Sequence, residues 1–158
     1  MQSKRPSALR LAPQTRVLFG AIWRTARPGA TSQVFKSLPT TLVFDHMACP
    51  NVPEGIDGKH FQNWLKALDE NKTWITKVTC PERFTVAGPP YDDVVPFARA
   101  IVARFPDRVL WGTDWPHPNM KNEAPDDGVL TEMIPKIAPT VALQQALLVD
   151  NPMRLYWS

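Results

Sequence analysis

Four residues of this 158-residue chain have types and settings suited to acid–base chemistry on an anionic ligand: Asp114, His46, Arg83 and His117. Asp114 stands in Trp111-Gly112-Thr113-Asp114-Trp115-Pro116-His117-Pro118-Asn119, where an apolar run delivers a carboxylate among two aromatic rings and two prolines. Such an apolar collar raises a carboxyl's pKa towards the range useful in a general base, unless a cation opposes it. Spacing alone equally allows Asp114 to cap a turn. His46 closes Val43-Phe44-Asp45-His46 and, taken alone, reads as a hydrogen-bonded core histidine; Asp114 at the equivalent place two strands later gives it a second reading as a site residue. Arg83, in Cys80-Pro81-Glu82-Arg83-Phe84, could hold a carboxylate in bidentate fashion, or pair internally with Glu82, Asp92 or Asp93. His117 could orient a substrate or join a metal site, or simply pack between Pro116 and Pro118.

The elements that must position these residues follow from hydrophobic pattern. Thr41 to Phe44 reads as a short buried strand, and Phe61, Trp64, Leu65 and Leu68 then form the i, i+3, i+4, i+7 stripe of a helix over Lys59 to Glu70. Trp74 to Thr79 is a second strand, followed by a helical stripe through Val94, Val95, Ala98, Ile101, Val102 and Phe105. Arg108 to Gly112 is a third, followed by a helix carrying Val129, Leu130, Met133, Ile134 and Ile137. A last helix over Val141 to Val149 takes Thr140 as its N-cap, and the Asn151-Pro152 step reads as a turn. Trp64, Trp74 and Met133 are expected in the core.

The strand ends His46, Cys80 and Asp114 are each 34 residues apart, as successive strand–loop–helix units require. Right-handed crossovers then make the strands parallel and bring their C-terminal ends to one edge, where α/β folds bind ligands. The units share no sequence similarity, so this is a topological period.

Composition bounds the rest. With 44% hydrophobic and 21% charged residues the chain is globular in character, and its 17 prolines against 7 glycines impose many rigid breaks. Its longest apolar run is too short to span a bilayer. Two cysteines allow at most one disulfide; free thiols in a reducing cytoplasm are the expectation. Up to Phe44 there are seven Lys and Arg and no Asp or Glu, although the whole chain carries only +3. Such a bias fits a nucleic-acid contact or an organellar transit peptide, but the cations lack aromatic interleaving and helical register. A non-native N-terminus, such as out-of-frame translation of GC-rich DNA, ranks ahead of both. Residues 1–37 are therefore expected to form a basic, irregular arm, with the folded part over 38–158. One Asp and two His can suggest zinc, but H-x-H and H-E-x-x-H are absent, and so are G-x-x-x-x-G-K and G-x-S-x-G. No metal and no cofactor are expected, and neither a nucleic acid nor a membrane is expected as a partner.

Taken together, Val43 to Met47, Lys77 to Arg83, Trp111 to Asn119 and Asp150 to Trp157, with the Ala87-Gly88-Pro89-Pro90 and Pro125-Asp126-Asp127-Gly128 loops, resemble the amidohydrolase superfamily over about residues 38 to 158. The resemblance implies α/β architecture of a specific kind: the last three βα units of a (β/α)8 TIM barrel. It also implies metal-independent hydrolysis of 2-pyrone-4,6-dicarboxylate or a similar lactone carboxylate, a reaction of lignin-derived aromatic breakdown. In that reading Asp114 is the base that activates water and His46 binds or polarises the lactone carbonyl. Arg83 pairs with a substrate carboxylate, and His117 lines the pocket. A barrel of this type needs about 250 residues. Three units alone would expose sheet edges and apolar faces, predicting self-association or a silent fragment that needs a complementing half.

Overall fold

The structure is a computed structural model that describes residues 40–118, 120 and 124–157, together with residue 35 and the backbone of residues 19–21. Four strands form one parallel sheet in the order β1 (Phe19–Ala21), β2 (Leu42–Phe44), β3 (Trp74–Val78) and β4 (Val109–Trp111). Sequential parallel neighbours need a crossover between each pair. α1 (Lys59–Glu70) supplies it between β2 and β3, and α2 (Val95–Arg104) between β3 and β4. The α/β class and the three expected strands are as the pattern requires, and α1 has the expected bounds.

Strand alternation divides the core. Leu42, Phe44, Trp74, Val78 and Val109 face the helices, where Phe61, Trp64, Leu65 and Leu68 of α1 and Phe97, Ala98, Ile101 and Val102 of α2 are buried. The centre is aromatic: the Phe44 ring lies 5.0 Å from that of Trp64 and 4.6 Å from that of Trp74. On the opposite face Val43 and Leu110, with Ile75 partly buried, pack against Leu155. This face also carries the next residues of the same parity, Lys77 and Thr79 on β3 and beyond it. At the far end of the sheet, Arg108 Nη1 donates to the carbonyls of Leu68 and Asn71, at 2.9 and 3.0 Å, tying the end of α1 to the start of β3.

Three expectations are corrected. A strand, β1, lies inside the segment expected to lack folded elements and pairs with β2 through Phe19↔Leu42 to Ala21↔Phe44. Its sequence sits in the apolar run Val17 to Trp23, which the surrounding cations mask. The rest of that segment, including the 37/38 boundary, lies outside the described residues. The helix expected through Val129 to Ile137 is two, α3 (Asp127–Glu132) and α4 (Ile134–Ile137), parted at Met133 because Pro135 cannot donate the hydrogen bond that would continue α3. Finally, Asn151-Pro152 is not a turn. α5 (Val141–Gln145) runs through a π-helical turn (Ala146–Asp150) into α6 (Asn151–Tyr156), with Pro152 in the first turn of α6, where a missing N–H is tolerated.

Thr140 caps α5 as expected, its Oγ1 accepting from Leu143 N at 3.2 Å. Among the described residues no helix is long and apolar enough to cross a membrane.

Candidate active site

The three strand ends that the 34-residue spacing singles out converge. His46, Cys80 and Asp114 each offer a ligand atom within 4.8 Å of the others. All three also have left-handed backbone, with φ of 54°, 57° and 67°. For non-glycine residues this conformation costs on the order of 1–3 kcal/mol, and such strain clusters where side chains must be aimed at a common point. The turn after β2 takes this furthest: His46, Met47, Ala48 and Cys49 all have positive φ. It is pinned by Ala48 N donating to Asp45 O at 3.0 Å and Cys49 N to His46 O at 2.8 Å, with Met47 and Ala48 buried beneath.

His46 is held from β3's end. Its Nδ1 lies 2.7 Å from Thr79 Oγ1, so Nε2 is turned towards Cys80 Sγ at 3.9 Å. Because a hydroxyl both donates and accepts, Thr79 can support either neutral tautomer. Burial lowers the His46 pKa from 6.5; Asp114 and Asp45 oppose the shift, while Arg83 and Lys77 assist it. The ring is thereby kept neutral near pH 7. Burial, and then its hydrogen bond with Asp114, raises the Cys80 thiol's pKa, so Cys80 is a protonated thiol.

Asp114 is not enclosed as its neighbours suggest. The Trp115 ring is 76% exposed and forms no collar; the carboxylate instead meets a cation. Arg83 Nη2 donates to Asp114 Oδ2 at 2.7 Å and to the Pro118 carbonyl at 2.6 Å. Arg83 therefore takes neither Glu82, Asp92 nor Asp93 as its hydrogen-bonded partner. Asp92 accepts from Lys136, and Asp93 from Thr85 and the amides of Val86 and Ala87. His117 lies close by but is buried; its Nε2 is 3.2 Å from Asp127 Oδ1, and its Nδ1 has no partner among the described residues. It braces the loop after β4 against α3, which is neither packing between prolines alone nor direct exposure to a ligand.

Sequence reasoning missed Thr79, Lys77 and Glu82. Lys77 Nζ is 2.7 Å from Asp45 Oδ1. The period-2 parity of β3 was the available signal for Lys77 and Thr79, since both share the Ile75 face. Both carboxylate oxygens of Glu82 are buried without a hydrogen-bond partner among the described residues, and burial raises its pKa. A cavity of about 210 Å³ opens beside the site, lined by Lys77, Thr79, Trp111, Asp114 and Tyr156. A second hollow, of about 440 Å³, lies beyond Arg83 against Asn51, Glu54 and His60. The Asp114 carboxylate and the Lys77 ammonium thus border the first space, and the Arg83 guanidinium that pairs with Asp114 borders the second.

A parallel sheet with polar groups gathered at its C-terminal edge is the α/β arrangement in which ligands bind, and comparison with known proteins gives the lineage. The Amidohydrolase family profile matches residues 9–157, and the chain belongs to that family. It is 58% identical over 131 residues to the 2-pyrone-4,6-dicarboxylate hydrolase of Comamonas testosteroni, covering 78% of this chain and 43% of that protein. It is 40% identical over 119 residues to the 4-sulfomuconolactone hydrolase of Rhizobium radiobacter, covering 74% of this chain and 40% of the relative. A ligand-free crystal structure from Agrobacterium tumefaciens superposes with a TM-score of 0.66 at 30% identity, over 79% of this chain and 44% of that one. The chain thus spans less than half the length of the relatives it matches.

Proposed function

We propose that this chain carries the water-activating part of a lactone hydrolase acting on 2-pyrone-4,6-dicarboxylate or a similar lactone carboxylate. The carrying observation is the convergence of His46 and Asp114 from the ends of β2 and β4, on either side of β3, with Arg83 on the Asp114 carboxylate. Two curated relatives act, by name, on lactones or pyrone dicarboxylates, which supports the substrate class. The four strands are read as consecutive strands of a (β/α)8 barrel, whose interior is the Val43, Ile75 and Leu110 face. We place the folded unit at about 38–158, extended upstream to include β1, and the protein in the cytoplasm.

In the proposed reaction, Asp114 takes a proton from water as the water oxygen attacks the lactone carbonyl carbon. His46, with Thr79 donating to Nδ1, presents Nε2–H to the carbonyl oxygen and stabilises the oxyanion, the form of electrostatic assistance that acts most strongly in a site shielded from water. Collapse of the tetrahedral intermediate breaks the ring C–O bond, and the Asp114 proton passes to the leaving oxygen. Arg83 holds the Asp114 carboxylate through Nη2 and turns its remaining donors to a substrate carboxylate. His117, through Asp127, holds the loop that carries Asp114. No step calls on a metal or cofactor.

The test is loss of the pyrone chromophore on adding the purified chain. Turnover is expected, with Asp114→Asn lowering kcat by about 10²- to 10⁴-fold, the span of general acid–base contributions; equal rates in both proteins would exclude Asp114 as the base. The exposed Trp115, Tyr156 and Trp157 favour a second reading, in which this chain is silent until a complementing barrel half covers them. Turnover only in a mixture with that half would select it.

A further inference from the structure

Lys77 is a cation that the chemistry given to His46, Asp114 and Arg83 leaves without a task. It is the one charged residue of β3, and it stands on the Ile75 face two residues before Thr79, whose hydroxyl holds His46. We propose that Lys77 is a second carboxylate anchor of this site, so that the ligand is a flat ring carrying two carboxylates, one on Lys77 and one on Arg83. The ring lies in the cavity of about 210 Å³ that Lys77 shares with Asp114, Trp111 and Tyr156. The choice of carboxylate as the ligand group rests on the lactone-carboxylate reading above.

This face of the sheet is layered. Its floor is apolar, with Val43, Leu110 and Leu155 buried and Ile75 partly buried. Lys77 comes next, and Thr79 follows roughly 6.6 Å further along the strand direction. Placing an ammonium over an apolar floor costs desolvation, which a single partner offsets only in part. Among the described residues that partner is Asp45, whose Oδ1 lies 2.7 Å from Lys77 Nζ. An ammonium carries three N–H donors, so pairing with Asp45 leaves capacity for a ligand carboxylate. The cavity is smaller than the roughly 300–1,000 Å³ of pockets for drug-sized ligands and suits a single ring, with Trp111 and Tyr156 as aromatic walls.

The second cation approaches from elsewhere. Asp114 lines the first cavity, while the Arg83 guanidinium that pairs with it lines the second hollow. A ring set beside Asp114 therefore has one cation towards β3 and another beyond the carboxylate. A single carboxylate satisfies only one of them, so the site discriminates by the number of carboxylates on the ring. Asp45 competes with the ligand for Lys77, and this gives the anchor a signature. Neutralising Asp45 frees the ammonium and strengthens binding, whereas a pair that served structure alone would be broken equally from either side.

The experiment is a calorimetric titration of the full chain with benzene-1,3-dicarboxylate, a flat ring with no bond to hydrolyse, and with benzoate. In the unaltered chain the dicarboxylate is expected to bind at least about tenfold more tightly, the effect of one added charge-assisted contact. In Lys77→Met that advantage is expected to disappear, and in Asp45→Asn to grow. No advantage in the unaltered chain, or an advantage that survives in Lys77→Met, overturns the proposal. If Lys77→Met does not fold, Asp45→Asn decides alone: tighter binding of the dicarboxylate supports the anchor, and weaker binding overturns it. The titration involves no turnover, so an absent lactone reaction counts against the hydrolase reading and leaves the anchor standing.

Discussion

One guanidinium clamps both ends of the turn that contains His117: Arg83 Nη2 lies 2.7 Å from Asp114 Oδ2 and 2.6 Å from the Pro118 carbonyl. Lysine at position 83 would retain the charge on a shorter side chain, losing the guanidinium whose Nη2 alone meets both acceptors and whose other N–H groups stay free for a substrate. Arg83→Lys is expected to lower kcat/KM for the lactone by about 10²-fold, the cost of misplacing a reacting group by an ångström. Steady-state kinetics would show both a lower kcat, from the displaced base, and a higher KM, from the lost substrate donors. An unchanged kcat would mean that Arg83 only binds substrate.

Glu82 works against the fold. Its two carboxylate oxygens are buried without hydrogen-bond partners among the described residues, and burial raises its pKa above 4.5. Between the unfolded value and the raised folded value, the native state binds more protons than the unfolded chain, so stability falls as pH rises through that window. Glu82→Gln removes the charge and is expected to stabilise the protein at neutral pH by on the order of 1 kcal/mol. Thermal melts of both proteins across pH should converge below pH 4.5; a lower Tm for Glu82→Gln at pH 7 would show that the carboxylate has a partner in solution.

The contrast between what the sequence displays and what it hides has physical causes. α1 is legible to the residue because its stripe of Phe61, Trp64, Leu65 and Leu68 faces one continuous core. The site was visible as strand ends, since parallel crossovers of similar length must return His46, Cys80 and Asp114 to one edge. Three things were not visible. β1 is three residues long in a basic setting, and its pairing with β2 is wholly long-range. Pro152 marks a helix start as readily as a turn, and only the π-helical turn before it decides between them. The collar expected around Asp114 failed because adjacency in sequence does not set where a ring points: Trp115 faces solvent, while Arg83, 31 residues away, meets the carboxylate.

Asn151 fixes that last helix to the sheet. It is buried, and its Nδ2 donates to the carbonyls of Pro106 and Val109, each at 2.8 Å. Both acceptors would lose their partner in Asn151→Ala, at a cost of about 1–3 kcal/mol for buried groups left unsatisfied. Urea unfolding should show a lower midpoint at unchanged m, since the surface exposed on unfolding is the same. Loss below about 0.5 kcal/mol would place the α6 contact outside the cooperative unit.

Thr79 is the residue on which the chemistry proposed for His46 depends, its Oγ1 lying 2.7 Å from Nδ1. Thr79→Val preserves shape and β-propensity on the Ile75 face while deleting the one group that, among the described residues, His46 Nδ1 is seen to bond. Without it the imidazole has no fixed tautomer, and Nε2 no longer faces Cys80 and Asp114 in a defined state. Loss of such an outer partner typically costs about 10- to 100-fold in activity or metal affinity. The lactone kcat should therefore fall by that factor with KM nearly unchanged, because Thr79 orients a group that acts in the transition state rather than one that holds substrate. Thr79→Ser, which restores the hydroxyl, should recover kcat. A Thr79→Val protein that melts like the unaltered chain and keeps full kcat would show that His46 is oriented from elsewhere, and that its convergence with Asp114 is structural rather than chemical.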